Sequence, residues 1–135
     1  MKIGFTGTRE GMTMAQKEEL IGFLSTINNE TPMGERNSFH HGDCKGADVE
    51  AASIAHQLGL EICIYPPLSD KQRGWFRQGK EMQKPKPYLE RDKDIVDACD
   101  FLIAGPKGPE ILRSGTWATV RYARKCGKLI HILDV

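Results

Sequence analysis

Several features that would assign this 135-residue sequence to a class at once are missing. No apolar run approaches the roughly 20 residues of a membrane span. The four cysteines form no C-x-x-C pair, which argues against a zinc ribbon or a redox motif. The formal net charge is only +1 and there is no long Lys/Arg run, so a nucleic-acid partner is not expected. No signal peptide is recognisable either, and the default expectation is a cytoplasmic protein that does not bind membranes.

Internal repeats, low-complexity tracts and a second domain are absent as well, so residues 1–135 are interpreted as one domain. The content of 39% hydrophobic and 27% charged residues is typical of a soluble globular protein. A chain of this length can form a substantial core, which makes a disulfide framework unnecessary. Cys63 and Cys99 lie in apolar surroundings and are expected to be core residues. We expect neither a metal ion nor a cofactor.

Short apolar segments alternate with helical ones along the chain. The strands are predicted at 2–6, 38–41, 61–65, 101–104 and 128–133, and the helices at 13–27, 47–58, 89–98 and 114–125. Thr13 and Gln16 form a capping box at the first helix. Such alternation predicts parallel strands joined by helical crossovers. The fold class is therefore α/β, a Rossmann-like three-layer sandwich with a mostly parallel five-stranded sheet.

One connection, residues 67–87, is too long for a simple loop. We interpret it as an interrupted helix that acts as a lid. Trp75 is a candidate for stacking on a base, and Phe76 is expected to pack beneath the lid as a core residue. In folds of this class ligands bind at the carboxyl ends of the strands, where the strand order reverses.

The start of the last helix has the features of an anion site. Ser114, Gly115 and Thr116 follow a strand and a glycine-containing loop. The first N–H groups of a helix lack an intrahelical acceptor, and the helix dipole places partial positive charge there. Gly115 lets the backbone approach a ligand closely, while the two hydroxyls add donors. A phosphate is the natural occupant.

Two earlier strand ends carry related motifs. The first is Thr6-Gly7-Thr8-Arg9, in which a glycine turn is followed by a guanidinium suited to phosphate, or simply by a solvated arginine. The second runs from His40 to Asp48. His40 and His41 are adjacent on a strand and point to opposite faces, which argues against a shared metal ion.

Within the second motif, Gly42 and Gly46 are expected to shape the loop. Asp43 accepts a hydrogen bond from a ribose hydroxyl or from a backbone amide. Asp48 lies in the first helical turn and either contacts the ligand or bonds loop amides. Further along the chain, Arg91 is either part of a solvated helix start or a phosphate clamp across the cleft.

These motifs occur in the order that resembles the SLOG superfamily, and most closely its YspA-like branch. That branch has a G-(S/T)-R turn, a G-x-x-x-GAD turn, an R-N pair and an S-x-GT turn. The resemblance spans nearly the whole chain and implies a Rossmann-like fold with a pocket for a nucleotide or a nucleotide-derived ligand. The superfamily also holds the Lonely-guy phosphoribohydrolases and the DNA-processing protein A family.

Comparison with the Lonely-guy enzymes, which cleave the N-glycosidic bond of nucleoside monophosphates, leaves catalysis open. Arg91 falls on their arginine and Gly115 and Thr116 fall on their G-T pair, but their glutamate position is Thr119, and Asp92 replaces the YspA-like asparagine. A neutral threonine cannot stabilise the positive charge that develops on the sugar. The acids that could substitute for the glutamate are Asp43, Asp92 and Glu110.

The sequence therefore predicts a binder or sensor of a phosphate-bearing, nucleotide-derived ligand. The alternative is a Lonely-guy-like hydrolase, and a DNA-processing protein ranks third. The candidate catalytic residues are Arg91 and Asp43, and the candidate ligand-binding residues are Thr6, Gly7, Thr8, Arg9, Gly42, Asp43, Lys45, Gly46, Asp48, Arg91, Asp92, Ser114, Gly115 and Thr116. A homodimer or higher homo-oligomer is expected, with the helix face of Trp117, Val120, Tyr122 and Ala123 as one possible interface.

Overall fold

The computed structural model describes residues 1–134. Strands and helices alternate as the sequence predicts. The strands are β1 (Lys2–Gly7), β2 (Ser38–His41), β3 (Glu61–Ile64), β4 (Glu81–Met82), β5 (Phe101–Gly105) and β6 (Leu129–Ile132). The helices are α1 (Met14–Glu30), α2 (Ala47–Gln57), α3 (Tyr88–Ala98) and α4 (Gly115–Lys125), with a short 3-10 turn at Asp70–Gln72. The capping box predicted at α1 is present, with Thr13 as N-cap and Gln16 bonding back to it.

All strand pairs are parallel, and the sheet order is β4-β3-β2-β1-β5-β6. The chain builds the sheet outward from β1 through β2, β3 and β4, then returns to the other side of β1 with β5 and β6. The strand order thus reverses between β1 and β5, which is where Rossmann-like folds bind ligands. The sheet has six strands rather than the predicted five, because β4 is too short to give a sequence signal.

The helices cover the two faces of the sheet in pairs. Leu20 and Leu24 of α1 and the alanines of α2 pack with Phe5 and Phe39 of the central strands into one cluster. A second cluster, on the other face, contains Val96 of α3, Val120 of α4 and Leu102 of β5. Burial on both faces explains the continuous apolar runs of the parallel strands. The predicted α/β three-layer architecture is confirmed.

The prediction of an interrupted helix in residues 67–87 is wrong. The segment contains one 3-10 turn and β4, and it lies along the edge of β3. The N–H groups of Lys80 and Gln83 donate to the carbonyls of Ile62 and Ile64, both at 2.8 Å. Prolines at both ends of the segment and the left-handed backbone of Trp75 (φ 57°) oppose a helix, so extended pairing with an open strand edge is favoured.

The proposed interface on α4 is largely corrected by the structure. Trp117, Val120 and Ala123 are buried inside the protein against β5 and α3, because this amphipathic face covers the sheet. These three side chains are not available to a second copy, whereas Tyr122, the fourth predicted residue, is half-buried and donates its hydroxyl to Asp97. Cys63 and Cys99 are buried core residues, as expected. Over residues 1–134, no helix is long and apolar enough to cross a membrane.

Candidate functional site

A cleft of about 740 Å³ opens at the carboxyl ends of β1, β2 and β5. It lies at the point where the strand order reverses. We call it the strand-end cleft. Of the predicted ligand-binding residues, those that line it are Thr6, Gly7, Thr8, Arg9, Gly42, Asp48, Arg91, Asp92, Ser114, Gly115 and Thr116. The structure thus brings together four motifs, the first and last of which are more than 100 residues apart in the sequence. They meet because parallel strands end at the same edge of the sheet.

The N-terminus of α4 forms one wall of the strand-end cleft. The Ser114 hydroxyl caps the helix by accepting from the Trp117 N–H at 3.2 Å. The N–H groups of Gly115 and Thr116 precede the first intrahelical bond and have no acceptor within the helix. A Cβ at Gly115 would meet no atom within 4 Å, so the space beside it is open. This wall can therefore accept an anion on free backbone donors.

The β1–α1 loop forms the opposite wall. Thr8 is anchored, since its N–H donates to the Gly105 carbonyl at 3.1 Å and its carbonyl accepts from Ala47 at 3.0 Å. The exposed Arg9 guanidinium lies 5.0 Å from the centre of the Tyr88 ring. Among residues 1–134, none of the ion pairs involves Arg9 or Arg113. The rim thus carries two arginines that form no ion pair with any carboxylate among these residues.

Arg91 lies beneath the cleft rather than across it. Only 4% of the residue is exposed, and its guanidinium is surrounded by acceptors. Nη1 donates to the carbonyls of Gly42 and Tyr65, Nη2 contacts the Cys44 sulfur at 3.6 Å, and Nε donates to Asp92 at 2.7 Å. A Cβ at position 42 would collide with the guanidinium, which explains why glycine is required there. Arg91 therefore ties α3 to the β2–α2 loop and forms the floor of the cleft.

Asp48 is the least compensated group on the cleft floor. Its Oδ2 accepts from the Cys44 N–H at 3.3 Å, whereas Oδ1 is buried without a hydrogen-bond partner. Within residues 1–134, only His41 Nε2 shares that condition. Burial, opposed by the nearby Arg91 charge, raises the pKa of Asp48 from 3.8 to about 7. The floor thus holds a carboxyl group that can carry a proton at neutral pH.

Asp92 is a second carboxyl group on the floor. Burial raises its pKa, while Arg91 and the Thr119 hydroxyl act in the opposite direction. Thr119 itself is buried, and its single hydroxyl proton has two acceptors in reach, Asp92 and the Gly115 carbonyl, the latter at 2.8 Å. An acid therefore lies beside the position at which the Lonely-guy pattern has its glutamate. Glu110 is outside the lining and pairs with Arg121 and Arg124 on the surface.

Asp43 lies outside the cleft lining, although it is one of the predicted catalytic residues. It is fully buried and accepts from the Arg73 guanidinium at 3.2 Å and from the Phe76 N–H at 2.9 Å. Its backbone is left-handed, with φ 54°. Lys45 and Gly46 are also outside the lining; Gly46 packs against the Arg9 carbonyl with φ 85°. Asp43 thus anchors the segment 67–87. Of the two donors predicted for its carboxylate, a ribose hydroxyl and a backbone amide, the structure shows the amide.

Trp75 lies away from the strand-end cleft as well. Its ring is 55% exposed and the Arg73 guanidinium lies 3.9 Å from its centre. Among the described residues, none in segment 67–87 lines the cleft. Phe76 packs against the core, as the sequence predicts. Stacking of Trp75 on a ligand base would require this segment to move, and it stays a prediction.

The cleft also has an apolar wall that sequence reasoning missed. It is formed by Tyr88, Leu89, Ile95, Pro109, Ile111 and Trp117. Leu89 and Ile111 are 70% and 58% exposed, and they lie together with the other apolar side chains of this wall. Their positions at the start of α3 and in the loop after β5 carried no motif that would have identified them. A polar floor opposite an apolar wall suits a ligand with a charged end and a flat, weakly polar end.

The two histidines of β2 are used by the fold. His40 Nδ1 bonds the Tyr65 hydroxyl at 2.8 Å, and His41 Nδ1 accepts from the Asp43 N–H at 3.1 Å. Burial lowers the pKa of His40 to about 4 and that of His41 to about 3, so both are neutral near pH 7. The portion of the chain described by the structure contains no group of three or more His, Cys, Asp or Glu side chains placed to hold a metal ion.

The fold is shared with proteins of solved structure. A molybdenum cofactor binding protein from Rippkaea orientalis matches with TM-score 0.72 and 18% identity over 97% of this chain and 74% of its own. The molybdenum cofactor carrier protein of Chlamydomonas reinhardtii matches with TM-score 0.66 and 20% identity, over 98% and 75%. DNA processing protein A from Streptococcus pneumoniae matches with TM-score 0.69 and 17% identity, and here the chain spans about half (49%) of the matched protein's length.

No protein-family model and no curated protein sequence matches the chain. The solved structures nevertheless share one architecture with this chain, a Rossmann-like α/β fold. At identities of 17–20% the likeness concerns the fold alone. The chain therefore has the Rossmann-like fold that its sequence predicted, and the proteins that share this fold are consistent with the resemblance carried by its motifs.

Proposed function

We propose that this protein binds a phosphate-bearing, nucleotide-derived small molecule in the strand-end cleft. The observation that carries the proposal is the pairing of free N–H groups at the start of α4 with the uncompensated guanidinium of Arg9 across one cleft. Both groups attract anions, and their separation by a cleft of about 740 Å³ leaves room for a nucleotide. The molybdenum cofactor binding and carrier proteins, which share the fold, bind a small molecule according to their names.

The orientation of the ligand follows from the two walls. The phosphate would lie between Arg9 and the backbone of Gly115 and Thr116. The flat end would lie against Leu89 and Ile111, where burial of their exposed side chains favours binding. A polar middle portion, such as a sugar, would then lie over Asp92 and Asp48 on the floor.

Calorimetry with AMP, ADP-ribose and cyclic AMP tests this proposal. Arg9→Ala should weaken binding of the best ligand by about 10- to 100-fold, because a hydrogen bond to a charged group contributes about 1.5–3 kcal/mol. Lys125→Ala removes an exposed cation at the far end of α4 and serves as the matched control, with unchanged affinity expected. Absence of binding for every compound, or equal losses in both variants, would contradict the proposal.

A second candidate function, cleavage of the N-glycosidic bond of such a ligand, is favoured by one observation. Asp92 lies in the cleft beside Thr119, so a carboxylate is available near the position of the missing glutamate. A carboxylate there could stabilise positive charge on the sugar and orient a water molecule. Asp43 and Glu110, the other acids considered, lie outside the cleft lining.

Chromatography of AMP incubated with the protein tests this second function. Release of adenine that falls at least 100-fold in Asp92→Asn, but not in Asp97→Asn, would support it. Asp97 is an exposed residue on the same helix and lies outside the cleft lining. Arg91→Ala is a poor probe, because it removes several structural hydrogen bonds at once. Intact AMP after prolonged incubation would exclude this reaction for this substrate.

Two other sequence-based proposals need their own measurements. The homo-oligomer can be checked by light scattering coupled to size-exclusion chromatography, and any interface must use a surface other than the buried face of α4. DNA binding ranks third; a DNA processing protein shares the fold, but the net charge is only +1. A single-strand shift assay at two salt concentrations tests it, since phosphate contacts give steep salt dependence.

A further inference from the structure

Asp48 is a buried acid that forms no ion pair within residues 1–134 and has few hydrogen bonds to stabilise its ionised form. It lies in the first turn of α2, is 5% exposed and forms part of the floor of the strand-end cleft. One oxygen accepts from the Cys44 N–H, while the other has no partner of ordinary hydrogen-bond geometry among the described residues. The Gly42 N–H lies near the carboxyl group and favours its charged form, but burial outweighs this effect. An unpaired carboxylate in such a place costs several kcal/mol, so this group needs a proton, a cation or a ligand.

The nearest cation does not satisfy Asp48. All three guanidinium nitrogens of Arg91 are directed elsewhere, to Asp92, to the carbonyls of Gly42 and Tyr65, and to the Cys44 sulfur. The charge of Arg91 is already balanced by Asp92 at 2.7 Å. The other charged or titratable groups of this region are Asp92 and Arg91 from α3, Cys44 from the β2–α2 loop and Arg9 from the β1–α1 loop. Asp92 disfavours a second negative charge, and the Cys44 thiol stays protonated because burial raises its pKa.

We propose, on the basis of the function proposed above, that Asp48 enters the complex as a neutral acid and keeps its proton beneath the bound anion. An anionic ligand that closes over the floor removes water and adds negative charge, and both effects disfavour the carboxylate form. The unpartnered oxygen of Asp48 is sealed from solvent within the floor, so the ligand acts on the carboxyl group through its charge and by covering the floor rather than through a direct hydrogen bond. Ligand binding is then coupled to the uptake of one proton above neutral pH.

The coupling can be measured with ADP-ribose, whose diphosphate has no proton to lose between pH 6 and 8.5. Wild-type affinity should be constant at low pH and fall about tenfold per pH unit once Asp48 ionises in the free protein. Calorimetry in two buffers of different ionisation enthalpy should show uptake of about one proton at pH 8. In the ligand-free protein, the side-chain carboxyl carbon resonance of Asp48 should titrate near neutral pH.

Asp48→Asn is the informative variant, because an amide keeps a donor and cannot ionise. We expect pH-independent affinity that exceeds that of the wild type at pH 8.5. Asp70→Asn, the same change at an exposed surface position, should keep the wild-type pH profile. A Glu or Ala substitution at position 48 would be ambiguous, since either one alters packing as well as charge.

Three outcomes overturn the inference, and they can be distinguished. A flat wild-type pH profile, or an Asp48 resonance that titrates near pH 4, removes the proton from the mechanism while leaving ligand binding in place. Loss of affinity in Asp48→Asn at every pH would mean that the carboxylate form binds the ligand. Failure of the wild type to bind AMP, ADP-ribose and cyclic AMP at any pH overturns the proposed function, and this inference falls with it.

Discussion

The β2–α2 loop, residues 42–46, and the start of α4, residues 114–116, both end in the same cleft region and are built from glycine and polar residues. In the first loop the polar and backbone groups are used internally. Gly42 makes room for Arg91, Asp43 binds Arg73, and Gly46 packs against the Arg9 carbonyl. At the second site the space beside Gly115 is empty. Availability for a ligand is therefore decided by neighbouring elements rather than by residue type.

The largest effect is expected from Gly46→Ala, which tests whether the first loop is structural. The backbone at position 46 has φ 85°, and an added Cβ would collide with the backbone of Arg9. We expect a loss of stability of about 3 kcal/mol or more, measured by urea unfolding. Gly115→Ala is the matched change at the second site and should alter stability by less than about 1 kcal/mol while weakening ligand binding. Equal stability losses in both variants would refute the distinction.

Asp43→Ala tests the anchoring role of the first loop. The substitution leaves Arg73 and the Phe76 N–H without their acceptor in a buried place. We expect a loss of about 2–4 kcal/mol and faster hydrogen exchange in residues 67–87, the segment that this carboxylate holds. If the variant keeps wild-type stability and exchange but loses ligand binding, Asp43 belongs to the site rather than to the scaffold.

Asp48→Asn tests whether the carboxyl group of Asp48, on the cleft floor, destabilises the fold when it ionises. The pKa of Asp48 in the folded protein, about 7, lies above the ordinary 3.8, so the unfolded chain releases its proton first as pH rises. The contribution of Asp48 to stability is therefore complete below pH 4 and is lost between pH 4 and 7. Relative to wild type, the variant should gain about 4 kcal/mol at pH 8 and little at pH 4, measured by denaturant unfolding at both values.

A constant difference between Asp48→Asn and wild type across this pH range would contradict that reasoning. The buried histidines do not confuse the comparison, because both proteins contain them. Their lowered pKa values affect stability in the opposite direction, by destabilising the fold as the pH falls below about 6.5. Only the pH dependence of the difference reports Asp48.

The smallest effect is expected from Trp75→Ala. Trp75 is exposed, adopts φ 57° and contacts Arg73 outside the strand-end cleft. We expect stability to change by less than about 1 kcal/mol and ligand affinity to be unchanged. A tenfold or greater loss of affinity would show that segment 67–87 closes over the ligand, as the sequence-based hypothesis of base stacking requires.

The sequence by itself determined the order of the elements, the parallel sheet and the positions of most cleft motifs. Apolar periodicity, the capping box of Thr13 and glycine at strand ends report local physics, and parallel strands necessarily end at one edge. The motifs resembling SLOG proteins extended this to a cleft at that edge, whereas the ligand class that they imply stays a prediction. Strand β4 escaped notice because two residues carry no periodicity, and the segment around it pairs with β3 through backbone groups.

Only the tertiary structure decided which charged residues are free and which are used by the fold. Asp43 and Asp48 are both acids near the end of β2, yet one is paired with Arg73 and the other has an unpartnered oxygen in the cleft floor. Arg9 and Arg91 differ in the same way, the first exposed at the rim and the second buried among acceptors. A side chain's charge state and availability depend on burial and on partners from distant elements, and a linear sequence does not specify those partners.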